Sequence, residues 1–183
     1  MDLTAGQELP LASGKITLGM GWDKERTAGA MGTGAPDIDL DATAVQFAGE
    51  QLFDLAFYNN LRTRDGSVEH LGDNTTGSGE GDDESVRVDL ARVHGPVDTV
   101  LFLVSSYQGH SLEWVANAYC RLVDDETDEE LARFTLTFSV QETGAVLATL
   151  RRTPEGWTMR AIGEGVAITV PTEKLAKLTR FVS

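Results

Sequence analysis

One cysteine, Cys120, stands in the 183 residues, so no disulfide forms within the chain. It lies in the apolar run Val115–Val123 and reads as an inert core thiol rather than a nucleophile. The histidines, His70, His94 and His110, are too scattered for metal-ligand spacing. Basic residues are scarce: 15 Lys and Arg face 29 Asp and Glu, a net charge of −14. That excess argues against nucleic acid or an anionic membrane as a direct partner, because both repel such a surface. A bridging divalent ion would reverse this locally and would permit peripheral membrane association. No apolar run approaches the ~18 residues of a membrane span, and the start, Met1 to Glu8, has neither a basic nor an apolar leader region. The expectation is a cytoplasmic chain without a transmembrane segment. Catalytic motifs are missing too. There is no Gly-x-Ser-x-Gly, and Gly14-Lys15 is followed by Ile16, which rules out a P-loop. Gly77-Ser78-Gly79-Glu80-Gly81 matches a dinucleotide loop only by glycine count, and its carboxylate would repel a pyrophosphate. The chain reads as a binding protein rather than an enzyme.

What is present is acid concentrated in one region. Residues 37–89 hold thirteen acidic and three basic side chains, so most of the excess lies there. Within it, Gly72–Glu84 contains five carboxylates, four glycines, one asparagine and three hydroxyls, with no apolar and no basic side chain. Such a loop cannot bury a core, and its charges repel one another. Oxygen-only side chains suit a hard cation, and a flexible Gly-rich loop suits Ca²⁺ better than the rigid octahedron of Mg²⁺. An EF-hand register fails: with Asp73 at position 1, Glu84 falls at position 12, but Thr75, Gly77 and Ser78 occupy positions 3, 5 and 6. A second acidic group is the alternation Asp37-Ile38-Asp39-Leu40-Asp41-Ala42. As a strand it would turn Ile38, Leu40 and Ala42 to the core and three carboxylates to the other face. One cation shared by the two acidic groups would relieve both, so Asp39 and Asp41 are expected to approach the loop in space.

Along the chain, short strands alternate with turn signals. Lys15–Met20 is a strand closed by Gly21-Trp22-Asp23, and residues 24–36 read as a mobile glycine-rich loop. Leu52–Asn59 is followed by a turn at Arg64-Asp65-Gly66-Ser67, where Asp-Gly is the hairpin signal. Ser67–Leu71 enters the acidic loop, and Ser85–Leu90 leaves it with Val86, Val88 and Leu90 on one face. Val97–Tyr107 is apolar throughout and reads as a central strand. Ser111–Val123 begins with a helical turn. Asp124–Glu130, with six carboxylates and no glycine, reads as a solvated hairpin tip. Leu131–Val140, Val146–Arg152 and Gly156–Ile162 are further strands, and Gly163–Gly165 breaks the pattern. Thr172–Thr179 reads as a helix capped by Thr172. This spacing predicts a mainly β chain, a two-sheet β-sandwich with a short C-terminal helix, forming one domain over residues 1–183.

Several motifs together resemble the TerD family of tellurium-resistance and stress proteins. They are Gly-Trp-Asp at 21–23, Asp-Leu-Asp-Ala at 39–42, Phe-Tyr-Asn-Asn-Leu at 57–61, Asp-Gly-Ser-Val-Glu-His at 65–70 and the acidic block at 72–84. Arg121-Leu122-Val123-Asp124, Trp157 and Ala161-Ile162-Gly163 continue the likeness, which runs in order over roughly residues 15–165. The resemblance implies a two-sheet sandwich binding Ca²⁺ at acidic loops, with a role in bacterial tellurite resistance and general stress response alongside other stress-response proteins. Carried onto this chain, it implies Asp73, Asn74, Asp82, Asp83 and Glu84 as ligands with the Gly77 carbonyl, and Asp39 and Asp41 from the other acidic motif. The alternative is a metal-assisted hydrolase using the same loop through Asp82 or Glu84.

Overall fold

The computed structural model describes residues 1–24, 39–73, 81–136 and 141–183. The described residues form two six-stranded sheets. The strands are β1 (Asp2–Leu3), β2 (Glu8–Leu11), β3 (Lys15–Lys24), β4 (Asp41–Ala48), β5 (Gln51–Ala56), β6 (Val68–Asp73), β7 (Glu84–Asp89), β8 (Thr99–Ser105), β9 (Val115–Asp124), β10 (Glu129–Leu136), β11 (Gly144–Thr153) and β12 (Gly156–Val166). The first sheet has the order β1-β10-β9-β3-β7-β6 and the second β2-β12-β11-β8-β4-β5. Pairing is antiparallel except for β1 against β10.

Alternation builds the space between the sheets. Ile16, Leu18 and Met20 of β3, Val86 and Val88 of β7, and Cys120 and Leu122 of β9 point inward and are buried. From the second sheet they meet Ala42, Ala44, Val100, Phe102, Leu147 and Leu150. The second sheet is apolar on its other face as well. There Val45, Phe47, Leu101, Leu103, Val146 and Val166 pack with Ile168, Leu178 and Val182 of the segment that follows β12. This explains why β8 is buried at every position and sits in the middle of its sheet, as its uninterrupted apolar run predicts.

The structure corrects several sequence-based boundaries. The C-terminal helix is a 3-10 helix over Leu175–Phe181, not a helix from Thr172. Pro171 lies in a turn closed by Glu173 N–H on Val170 O, and Lys174 has φ 57°, so Thr172 cannot cap. Leu175, Leu178 and Phe181 recur every three residues, the repeat at which 3-10 side chains eclipse on one face. β4 continues to Ala48 and is buried on both faces, a strand that the alternation at 37–42 only begins to show. β3 does not stop at Gly21 but runs to Lys24 through a register shift. Gly163 does not break β12. Its φ is +70°, and a Cβ there would stand 2.8 Å from the Phe134 ring, so glycine lets the strand bulge past that ring. The loop read over 24–36, apart from Lys24, lies outside the described residues, as do residues 37 and 38 and the end of the strand read to Val140.

Candidate functional site

The two acidic segments come from different sheets. β6 and β7 carry the ends of the acidic loop, with Asp73 opposite Glu84 in the ladder. β4 starts at Asp41 in the other sheet. The Ala42 N–H donates to Glu84 Oε2 at 3.1 Å, a buried hydrogen bond that joins the sheets where both acidic segments begin. Glu84 is only 2% exposed. His70, equally buried, faces the same oxygen through Nε2 at 2.8 Å. The Gly72 N–H donates to His70 Nδ1 at 3.0 Å, so Nδ1 is the acceptor and the ring proton sits on Nε2, toward Glu84. The base of the loop is thus held by three strands through one carboxylate.

Asp82 and Asp83 are adjacent but serve different neighbours. The Asp83 backbone N–H donates to Met20 O at 2.7 Å, and its Oδ2 accepts from Trp22 N–H at 3.0 Å. Asp82 lies on the outer face of the first sheet. There it accepts from Arg121 Nε at 2.9 and 3.0 Å and from Tyr119 Oη at 3.1 Å. Gly19 makes this possible: a Cβ there would stand 2.0 Å from Asp82 Oδ2, while Gly21 gives the Tyr119 ring the same freedom. The hydrogen bond that Arg121 donates to Asp82 raises the guanidinium above its ordinary value. Arg121 also pairs with Glu130, which Arg133 grips at 2.8 and 2.9 Å. The acidic hairpin tip is therefore partly neutralised, and Asp125 likewise pairs with Arg87.

Asp39 and Asp41 line a depression of about 290 Å³ with Tyr58, Tyr107 and Gln108. The two tyrosine rings meet edge to face at 5.8 Å. Burial, then the charge of Asp41, raises the Tyr58 phenol above its ordinary value. The structure thus brings Asp39 and Asp41 together, and brings Ala42 to Glu84, while Asp82 turns to the opposite sheet's outer face. Asn74 and Gly77 lie outside the described residues, as does the side chain of Asp73. Among the described residues, no three His, Cys, Asp or Glu side chains gather closely enough to hold an ion by themselves.

Sequence reasoning missed His70, Tyr119 and Arg121 as partners of the acidic block. The available signals were His70's inward position in β6, two residues before Gly72, and two outward-facing glycines in β3. Cys120 is where the sequence puts it, in the core, and burial pushes its thiol up to about 12. No helix among the described residues is long and apolar enough to cross a membrane.

A TerD domain family model matches residues 1–178. The tellurium resistance protein TerD of Alcaligenes sp is 40% identical over 161 residues, covering 83% of this chain and 81% of that protein. Stress response protein SCP2 of Bacillus subtilis (strain 168) is 33% identical over 183 residues, covering 90% and 92%. The crystal structure of a homologue of telluride resistance protein (TerD) from Streptomyces coelicolor A3(2) superposes with a TM-score of 0.71 at 20% identity, over 92% of this chain and 98% of that one. This last likeness speaks to the fold.

Proposed function

The chain belongs to the TerD family, and from that membership we propose that it is a calcium-binding module of tellurium resistance and the general stress response. One observation carries the reading: the Ala42–Glu84 hydrogen bond joins two acidic segments from opposite sheets at one end of the sandwich. The donor set fits a hard cation, being oxygen throughout. Asp83 spends Oδ2 on Trp22 N–H and keeps Oδ1 for a ligand. Asp83, Glu84, Asp39 and Asp41 would hold the ion from the described framework. Asp73, Asn74 and the Gly77 carbonyl would complete the shell, since the framework alone gathers no three donors. Asp82 supports the loop through Arg121 rather than leading the ligand set.

Calcium, when bound, supplies positive charge between carboxylates that otherwise repel. The residues of the chain do the rest. His70 and Ala42 fix Glu84, and Trp22 fixes one oxygen of Asp83, so an ion held by these two carboxylates would be coupled to three strands. The surface around the ion would then meet other stress-response proteins in a calcium-dependent way.

Calorimetric titration with Ca²⁺ and Mg²⁺, on wild type, Asp83→Asn and Asp41→Asn, tests the reading. Saturable calcium binding, weaker magnesium binding and at least about a tenfold loss of calcium affinity in both variants are expected. Absence of binding at millimolar calcium, or unchanged isotherms in both variants, would overturn it.

A further inference from the structure

Away from the acidic end, the outer face of the first sheet carries a depression of about 350 Å³ that is rich in cations. Lys15, Arg62, Arg87 and Arg92 line it, four of the 15 basic residues of a chain whose net charge is −14. Arg87 is neutralised by Asp125. Among the described residues, Lys15, Arg62 and Arg92 have no carboxylate within 4.0 Å, although Glu69 and Asp89 share the lining.

Arg62 and Arg92 converge on one point. A Cβ built on Gly66 would stand 3.4 Å from an Arg62 terminal nitrogen and 3.2 Å from one of Arg92. Gly66 has φ +70° and no side chain, which closes the turn and keeps this space open. Asp65, next to Gly66 in the chain, is turned away and saturated by neutral donors. Its carboxylate accepts from the backbone N–H of Ser67 and His94, from the Thr63 and Ser67 hydroxyls, and from the Gln46 amide. The His94 contact ties the segment bearing Arg92 to the turn bearing Arg62, so the carboxylate that could have neutralised the pair instead holds it together.

Two other arginines of this corner show the contrast. Arg64 lies over the Phe53 ring and donates to Phe53 O, and Arg152 donates to Val93 O and Val97 O. Both are spent on the fold. The Arg62 side chain makes a single long contact to Gly66 O at 3.4 Å, and among the described residues the Arg92 side chain forms no hydrogen bond. Two guanidinium forks facing one open space are the arrangement that grips a multiply charged oxyanion.

We propose that Arg62 and Arg92, set around Gly66, bind a small oxyanion such as a phosphate group or a tellurium oxyanion. The site is separate from the calcium reading and does not rest on it. The test is calorimetric titration of the full chain, freed of divalent ions and at low ionic strength, with inorganic phosphate and separately with tellurite. Chloride at matched ionic strength is the control. The expected result is saturable binding of at least one oxyanion, weakened at least about tenfold in Arg62→Gln/Arg92→Gln and in Arg92→Gln alone. Arg180→Gln, which removes a cation paired with Glu164 elsewhere, should bind as wild type. Binding of phosphate alone, of tellurite alone or of both supports the site and identifies its ligand. No saturable binding of either at millimolar concentration, or equal binding by wild type and Arg92→Gln, overturns it. The substituted side chains are exposed, and matching melting curves without ligand confirm that the variants fold.

Discussion

The outer faces of the two sheets divide the work of this molecule. On the second sheet, Val45, Phe47, Leu101, Leu103 and Val146 are sealed under the C-terminal 3-10 helix. On the first, Lys15, Arg87, Arg121 and Asp82 lie in ion pairs or open depressions, partly in water. One face has apolar surface to bury. The other has charge to present and is left uncovered. The difference teaches that the tail after β12 is part of the core, whereas the charged groups that could bind something gather on the first sheet and at the end where β4 meets β7.

Removing a side chain from the sealed face should have the largest effect. Leu178 is fully buried in the second apolar cluster. Leu178→Ala should cost about 2–5 kcal/mol, from lost burial plus the cavity left behind. Urea denaturation measures it, and calcium affinity of the folded variant should stay unchanged. A shift in calcium affinity with little loss of stability would break the division between the faces.

Calcium should act from the other side. An ion that binds only the folded chain stabilises it by RT ln(1 + [Ca²⁺]/Kd), about 2.7 kcal/mol at a hundredfold excess over Kd. At roughly 2–4 °C per kcal/mol for a chain of this size, the melting temperature should rise by about 5–10 °C, and by less with magnesium. Identical melting with and without millimolar calcium would leave the loop a solvated acidic turn.

The strand framework was legible because its signals are local. Alternation in β7 and the unbroken apolar run of β8 each follow from side-chain periodicity alone. The middle of β4 was not legible, because a strand buried on both faces loses its alternation when Thr43 and Gln46 are buried as well. The 3-10 helix was misread because a repeat of three and a repeat of 3.6 differ little over seven residues. At the candidate site, the acidic loop announced itself by composition. The partners of its carboxylates did not: Arg121 reaches Asp82 across 39 residues, and Ala42 reaches Glu84 across 42, contacts that only the sheet order creates.

Asp65 sits where the two sheets meet, bonded to Gln46 on one side and Ser67 on the other. Burial alone would raise its carboxyl, but the hydrogen bonds from His94, Ser67 and Thr63 outweigh burial and bring it down to about 2. A carboxyl with a folded value below its unfolded one stabilises fully above the unfolded value and loses that contribution as pH falls through the folded one. Wild type should therefore exceed Asp65→Asn by about 1–2 kcal/mol at neutral pH, with allowance for solvent screening. The gap should close between about pH 4 and pH 2. Denaturation curves across that range decide it, and a gap independent of pH would show that the donors recognise shape rather than charge.

The smallest effect separates Asp82 from Asp83. Asp82 already has a cation, Arg121, whose side chain is 32% exposed, so Asp82→Asn should cost under about 1 kcal/mol without calcium. Loss of the ion pair is partly offset by relief of repulsion with the neighbouring carboxylates. Among the described residues, Asp83 has the neutral donor Trp22 N–H and no guanidinium of its own. If the outer face of the first sheet keeps Asp82 for Arg121, Asp82→Asn should retain most of the calcium-induced rise in melting temperature, and Asp83→Asn should lose most of it. Melting both variants with and without calcium makes the comparison within a single pair of adjacent residues. The reverse ranking would mean that calcium draws Asp82 away from Arg121, and the charged face would then be part of the metal centre rather than its neighbour.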